Sequence, residues 1–324
     1  MKLSPFYHAG TLPTLLFLLL LLLVVATTMR STEALLITKE PVSQLLKTHA
    51  NSIEQLKSIC AAKVGQDASS LPEPYSNDVF FLRYCLASKE EEDLKEQKTR
   101  LERNLNWRLN EGKKICQAAT QALELAQCNE NSWDNNPVLN AAPHSSIISE
   151  YLTPSNVITT VSSNNDLVYC IRAGQIDDNS LMKQVSVDLM VEFFIYAKEV
   201  NAQVANQRSL QTDVLQCIVT ANDLAGVKLV GGSGDFRKAL SESSTKANDL
   251  YPATNGPTLL LNLPGLLNAL VKLFTPLFPA EVKARLKFVQ GPLKDVSDLK
   301  QVATSATGSE RTAFLKQLDD TIYT

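Results

Sequence analysis

The chain has 324 residues, a net charge of −3 at neutral pH and only 6% aromatic residues. No basic field points to nucleic acid, and an aliphatic-rich, aromatic-poor composition favours a helix-rich or α/β fold over a β-sandwich. The three histidines, His8, His49 and His144, are scattered, which leaves zinc-hydrolase and Ser-His-Asp chemistry poorly supplied.

Residues 1–30 read as a removable secretory signal. Lys2 is the only charge before an unbroken apolar run over 15–26, a length that suits a signal core and falls short of the roughly 20 residues a bilayer span needs. The small residues that follow place cleavage after Thr28 or Ala34, and an uncleaved signal anchor is the alternative. Either form sends the chain into the secretory pathway, with secretion, an endomembrane lumen or a complex plastid as the final compartment. All six cysteines, Cys60, Cys85, Cys116, Cys128, Cys170 and Cys217, lie beyond the signal. Their number permits three disulfides, but no CxxC pair exists, and Cys170 and Cys217 sit in apolar runs that favour free core thiols.

Residues 42–62 carry Val42, Leu45, Leu46, Ile53, Leu56 and Ile59 at mostly helical spacing. The LPEPYSND break at 71–78 ends that region, and Asp78 is positioned to cap the next helix, which holds Val79, Phe80, Phe81, Leu82, Tyr84, Cys85 and Leu86. A charged helix over 89–103 follows, its acidic run at 90–93 reading as a solvated helix start, with Leu94, Leu101, Leu105 and Trp107 as its buried stripe. Gly112 ends or kinks it, and a helix over 113–128 completes an all-helical lobe. The Asn-, Pro- and Ser-rich stretch 128–146 reads as a linker.

The pattern then alternates. LVYCIR, 167–172, is a strand; a long helix runs from 177–180 to Ala205, with Val187, Met190, Val191, Phe194, Ala197 and Val200 on one face. VLQCIVT, 214–220, is a second strand, 237–250 a helix, 258–263 a third strand and 286–289 a fourth. Strand–helix–strand repetition of this kind builds a mainly parallel sheet. Gly231, Gly232, Ser233 and Gly234 lack the spacing of a phosphate loop.

The most unusual stretch is TLLLNLPGLLNALVKLFTPLF, 258–278. Pro264 and Gly265 end its strand, a helix follows from Gly265 to Phe274, and Pro276 stops it. Leu266, Leu267, Ala269, Leu270, Val271, Leu273 and Phe274 cover most of that helix, leaving only Asn268 and Lys272 as a polar stripe. Such a helix is either buried in the core or is a lid over an apolar cavity. The residue types nominate an apolar wall of Leu261, Leu263, Leu266, Leu267, Leu270, Phe274, Leu277 and Phe278, with Phe193 and Phe194 from the long helix. Lys272, Lys283, Arg285 and Lys287 are close enough in sequence to meet acidic lipid headgroups, or else form a solvated face.

Four ordered segments resemble the CRAL-TRIO family over roughly residues 77–291. Residues 77–112 are similar to its helical lobe in Asp78, Leu82, Arg83, Tyr84, the 90–93 acidic run, Trp107 and Arg108. LVYCIRAGQID and TANDLAGVKL are similar to its strand–Gly–x–Ile–Asp and Asp–Leu–x–Gly segments. Residues 248–278 match its Tyr-Pro segment and gate helix in Tyr251, Pro252, Gly256, Asn262, Pro264 and Pro276. The resemblance implies an α/β fold, an N-terminal all-helical lobe followed by a mainly parallel sheet with helices, and an apolar pocket closed by the 265–278 helix. With the readings above, the chain divides into a signal peptide (1–30), a helical lobe (35–128), a linker (129–146), a CRAL-TRIO-like lipid-binding domain (147–295) and a helical tail (296–324), which departs from the family and whose apolar face is Phe314, Leu315, Leu318 and Ile322. Phosphoinositide-transfer members place an acid after Tyr-Pro and a Lys before the gate-ending Pro; here those places hold Ala253 and Thr275, and phosphatidylinositol loses its expected contact. Thr220 matches a hydroxyl that contacts phosphocholine, Ile218 departs from a second hydroxyl position, and Arg285 stands where the family usually has Lys.

The function implied is non-enzymatic binding and transfer, or sensing, of a lipid or other hydrophobic small molecule, by a monomer that meets membrane transiently. A protein-interaction module that has lost ligand exchange is the alternative. No catalytic residue, cofactor, metal or nucleic-acid partner is expected.

Overall fold

The computed structural model describes residues 40–88, 94–126, 134–162, 164, 166–227, 232–265, 268, 269, 271, 275, 283, 285–302 and 308–322. Helices α1 (Val42–Thr48), α2 (Ala50–Val64), α3 (Asp78–Leu86), α4 (Leu94–Leu109) and α5 (Lys113–Ala126) form the first region, with short α6 (Asn136–Asn140) and α7 (Ser145–Ile148) after it. The helix expected over 42–62 divides at His49, which accepts no capping bond and separates α1 from α2. The cap of α3 is Asn77 rather than Asp78: the Asn77 side chain accepts from the Val79 amide, and Asp78 becomes the first helical residue.

A five-stranded sheet follows in the order β1 (Val157–Val161), β2 (Leu167–Arg172), β3 (Ile218–Asp223), β4 (Asn255–Leu261), β5 (Leu286–Val289). β1 runs antiparallel to β2, and the other pairs are parallel. The mixed, mostly parallel sheet behind a helical region is the expected fold class. β1 is an addition, because VITTV alternates with no strong apolar signal. The second strand is shifted: residues 214–217 lead into β3 rather than forming it.

Between β2 and β3 lie α8 (Asp178–Gln184) and α9 (Val187–Thr212); α10 (Gly234–Leu250) joins β3 to β4. Each starts at a side chain that satisfies an orphan amide: Asp177 accepts from Ser180, Ser186 from Leu189 and Ser233 from Phe236. The new start at Ser186 is what splits the single helix expected here. α9 and α10 pack together, with the Phe194 and Phe236 rings 5.9 Å apart in an edge-to-face arrangement.

The sheet has two unlike faces. Val168, Cys170, Val219, Ala221, Leu259 and Leu261 point to one, where they meet Leu293, Val296, Leu299, Val302, Phe314, Leu315 and Leu318. The tail thus docks on the body: a short helical turn at Leu299–Val302 and α11 (Ser309–Ile322) seal this side, and Leu318 is fully buried. α9 covers the other side, as the Thr159 hydroxyl hydrogen-bonds to Asn201 of α9 at 3.3 Å.

Five cysteines, Cys60, Cys85, Cys116, Cys170 and Cys217, are buried and free, in line with the core-thiol reading of the last two. Cys128 lies outside the described residues. No described helix is long and apolar enough to cross a membrane.

Candidate functional site

Strand pairing places residues of neighbouring strands side by side on the same face. Thr159 pairs with Tyr169, Tyr169 with Thr220, and Thr220 with Thr258. One row of four hydroxyl-bearing side chains therefore crosses β1 to β4 on the face toward α9. Only the Thr159 hydroxyl has a partner, Asn201; those of Tyr169, Thr220 and Thr258 have none among the described residues. All four residues are half-buried, although three of their strands have neighbours on both sides. On the tail side, by contrast, Val168, Val219, Ala221 and Leu259 are each 0% exposed. Desolvation pushes the Tyr169 phenol above the usual tyrosine range, so it is a neutral donor at any physiological pH.

The next row toward the strand ends is Ile171, Asn222, Leu260 and Phe288, apolar in three of its four members. Ile171 and Phe288 are also half-buried. A polar row thus lies deep under α9, with an apolar row between it and the ends of the strands. The 264–285 segment leaves β4 at those ends and, because β5 is parallel to β4, re-enters the sheet from the other direction, where Leu286 pairs with Thr258.

A charged clamp fastens the root of that segment. Arg172 at the end of β2 pairs with Asp223 at the end of β3, 3.2 Å away, both buried. The same guanidinium donates to the carbonyls of Leu293, Val296 and Ser297. Asn262, at φ 51°, donates to Asp223 and to the Pro292 carbonyl and accepts from the Gly291 amide. Gln290 donates to the Leu263 carbonyl. A cleft of about 360 Å³ opens beside this clamp, lined by Gln175, Asn262, Gln290 and Lys294 among others. The donors of Arg172 and of the Asn262 amide are engaged with protein acceptors, which makes the cluster a fastening rather than a receptor.

A second buried network fixes α9 to the helical region. Arg108 grips Glu199 with two bonds of 2.9 and 2.6 Å and also donates to Asn104. Gln203 donates to the same carboxylate at 2.7 Å. The Glu199 charge holds the Arg108 guanidinium above its ordinary value against the opposing effect of burial. Arg83 bonds Asn206 and the carbonyls of Ala253 and Gln216. The family-like residues Arg83 and Arg108 are therefore fasteners between regions.

The residues nominated from sequence fall into three groups. Thr220 lies in the hydroxyl row, and Phe194 belongs to the α9 stripe that includes Asn201, although its ring is also spent on Phe236. Leu261 is a correction: strand alternation turns it to the face opposite Thr220, under the tail, where it is 0% exposed. Leu263 is buried beyond the end of β4, and Phe193 is half-buried at the margin of the α9 core. Leu266, Leu267, Leu270, Lys272, Phe274, Leu277 and Phe278 lie outside the described residues. Of the cations assigned to membrane, Lys283 is exposed and Lys287 is half-buried on β5, with its register partner Leu259 turned to the tail side. Arg285 is a further correction: only 9% exposed, with burial lowering its guanidinium, it is no surface contact. Sequence reasoning missed Thr159, Tyr169 and Thr258, because only the register of pairing brings them into line with Thr220.

These features define an α/β domain in which helices cover one sheet face over a polar row, while a C-terminal segment closes the other. Residues 155–308 match the CRAL/TRIO domain, which typically binds lipophilic ligands and whose members are mostly non-enzymatic. The match runs past the boundary expected at 295, into the tail that closes the sheet. Among solved structures, the crystal structure of Sfh5 is similar at 14% identity and a TM-score of 0.46, covering 86% of this chain and 97% of that one. No curated protein matches the chain in sequence.

Proposed function

We propose that the protein binds a lipid or other hydrophobic small molecule between the α9-side face of the sheet and the 265–278 segment, and carries it between membranes without chemical change. The observation that carries this reading is the row Tyr169, Thr220 and Thr258: hydroxyls without partners among the described residues, half-buried in the middle of a sheet whose reverse side is sealed. Hydroxyls presented this way on a partly covered sheet face are available to a guest, and a typical hydrogen bond contributes about 0.5–1.5 kcal/mol net. A ligand head group supplies the missing partners. Its chain then runs along Ile171, Leu260 and Phe288 toward the strand ends, gaining about 0.8 kcal/mol per buried methylene.

Exchange requires the 265–278 segment to swing away from the sheet, with Asn262 as its root and Lys283 as a cation on the outside. The apolar side chains of that segment meet the bilayer as they leave the ligand. In this reading residues 1–30 act as a secretory signal, and the chain works as a monomer.

The test is direct. The protein purified from a eukaryotic secretory host is extracted into organic solvent and the extract analysed by mass spectrometry. One stoichiometric amphiphile is expected, together with transfer of labelled lipid between donor and acceptor vesicles that Leu270→Asp abolishes. A protein that holds no lipid and transfers none is instead an interaction module. N-terminal sequencing of the same material checks for cleavage after Thr28 or Ala34.

A further inference from the structure

We propose that Lys198 selects the head group: the ligand is an amphiphile with a net negative head, a carboxylate or a phosphate, placed beneath α9 against the hydroxyl row. This rests on the lipid-binding reading and names the class of lipid.

Lys198 lies on α9 one turn before Asn201 and one turn after Phe194. Residues three and four apart share a helix face, so Lys198 belongs to the stripe whose Asn201 touches Thr159 of the row. It is half-buried and makes no hydrogen bond or ion pair among the described residues. Burial pulls its ammonium below the usual lysine value, with no neighbouring charge acting in the other direction.

The nearby acids are committed elsewhere. Glu199 turns to the helical region, where Arg108 and Gln203 bind it. Asp223 points to the opposite sheet face and pairs with Arg172. On α9 itself Asp188 is exposed, and exposed Glu192 sits beside His144. Across α10, Glu242 pairs with Lys238, Lys246 pairs with Glu111, and Asp235 is exposed. Every described side chain of the hydroxyl row and of the apolar row beside it is neutral. A cation on the helix face that meets a row of neutral donors is complementary to an anion: Lys198 supplies charge, while Tyr169, Thr220 and Thr258 donate hydrogen bonds to its oxygens. The same cation repels the quaternary ammonium of a choline head.

The test uses the full mature chain and two matched probe pairs. Oleic acid is compared with oleyl alcohol, and oleoyl lysophosphatidic acid with monooleoylglycerol, by displacement of a fluorescent apolar probe. Wild type should prefer the charged member of at least one pair by about tenfold or more, the range of a charge-assisted hydrogen bond. Lys198→Met should remove that preference while leaving the neutral probes bound as before, and Lys198→Arg should keep it. Retained binding of the neutral probes shows that Lys198→Met is folded; if it is not, Lys198→Gln takes its place. The pair that shows the preference identifies carboxylate or phosphate as its source. If wild type binds the probes with no preference, or Lys198→Met keeps the preference, the inference falls and the lipid reading stands. If wild type binds none of the four probes and no phosphatidylcholine, the lipid reading falls and takes this inference with it.

Discussion

Replacing Arg108 by Met tests the fastening of α9 to the helical region. In the native fold Glu199 is 0% exposed, and both its oxygens are held by Arg108. The guanidinium also lies 5.4 Å from the centroid of the Phe80 ring. Methionine fills much of the space but leaves a buried carboxylate with no cation beside it, held by Gln203 and the neighbouring Tyr251 hydroxyl. Removing one member of such a pair costs about 3–5 kcal/mol, a large share of the roughly 5–15 kcal/mol that holds a typical protein folded. The double variant Arg108→Met/Glu199→Leu removes both charges. Asn104 still donates to the Leu250 carbonyl, although its Oδ1 loses the Arg108 donor in both variants alike, and Gln203 still reaches Thr120. The double variant should therefore be more stable than Arg108→Met alone. Urea unfolding followed by circular dichroism measures all three proteins. A loss below about 1 kcal/mol for Arg108→Met, or a double variant less stable than the single, would refute the view that the uncompensated charge dominates.

Leu318→Ala should cost about 2–5 kcal/mol in the same urea assay, since the side chain is fully buried under the sheet; a change near zero would mean the tail is not docked in solution. Asn77→Ala should cost about 1 kcal/mol by removing the cap of α3, whereas Asp78→Ala should not remove that bond. Gly174→Ala should lower the melting temperature measurably, because a Cβ there would collide with the Ala225 carbonyl oxygen; an unchanged melting curve would show that the 172–175 turn yields freely. Burial raises the thiols of Cys60, Cys85 and Cys116 to about 12 and that of Cys217 to about 11. The reactive thiolate is therefore scarce at pH 8. Iodoacetamide at that pH should label these four only after unfolding, as read by peptide mass spectrometry.

Much of the architecture is legible in local patterns. β2 and β5 occur at the residues where β-formers cluster, and the apolar stripe of the tail names the side chains that dock. What escaped depends on partners distant in sequence. β1 is a short run with two threonines, and it becomes a strand only by pairing with β2. Leu261 and Thr220 look equally suited to a pocket, yet alternation and register put them on opposite faces. Arg285 reads as a surface cation until β5 is placed beside β4. For Lys198 the sequence does hold a signal, a lysine four residues after Phe194 on a largely apolar stripe, but that signal has meaning only once Asn201 of the same stripe is known to meet the sheet.

The closure of the sheet by α11 sets an order on biosynthesis. Arg311 of this helix donates to the carbonyl of Val161, across 150 residues of chain. While the polypeptide is growing, the apolar underside formed by Val168, Val219 and Leu259 has only the partial cover of Leu293, Val296, Leu299 and Val302 until residues 309–322 emerge from the ribosome. Strands made early must wait, greasy side half covered, for a helix made late. The nascent protein should therefore be a client for holding chaperones through most of its translation, and stalling it before residue 309 should leave a protease-sensitive sheet.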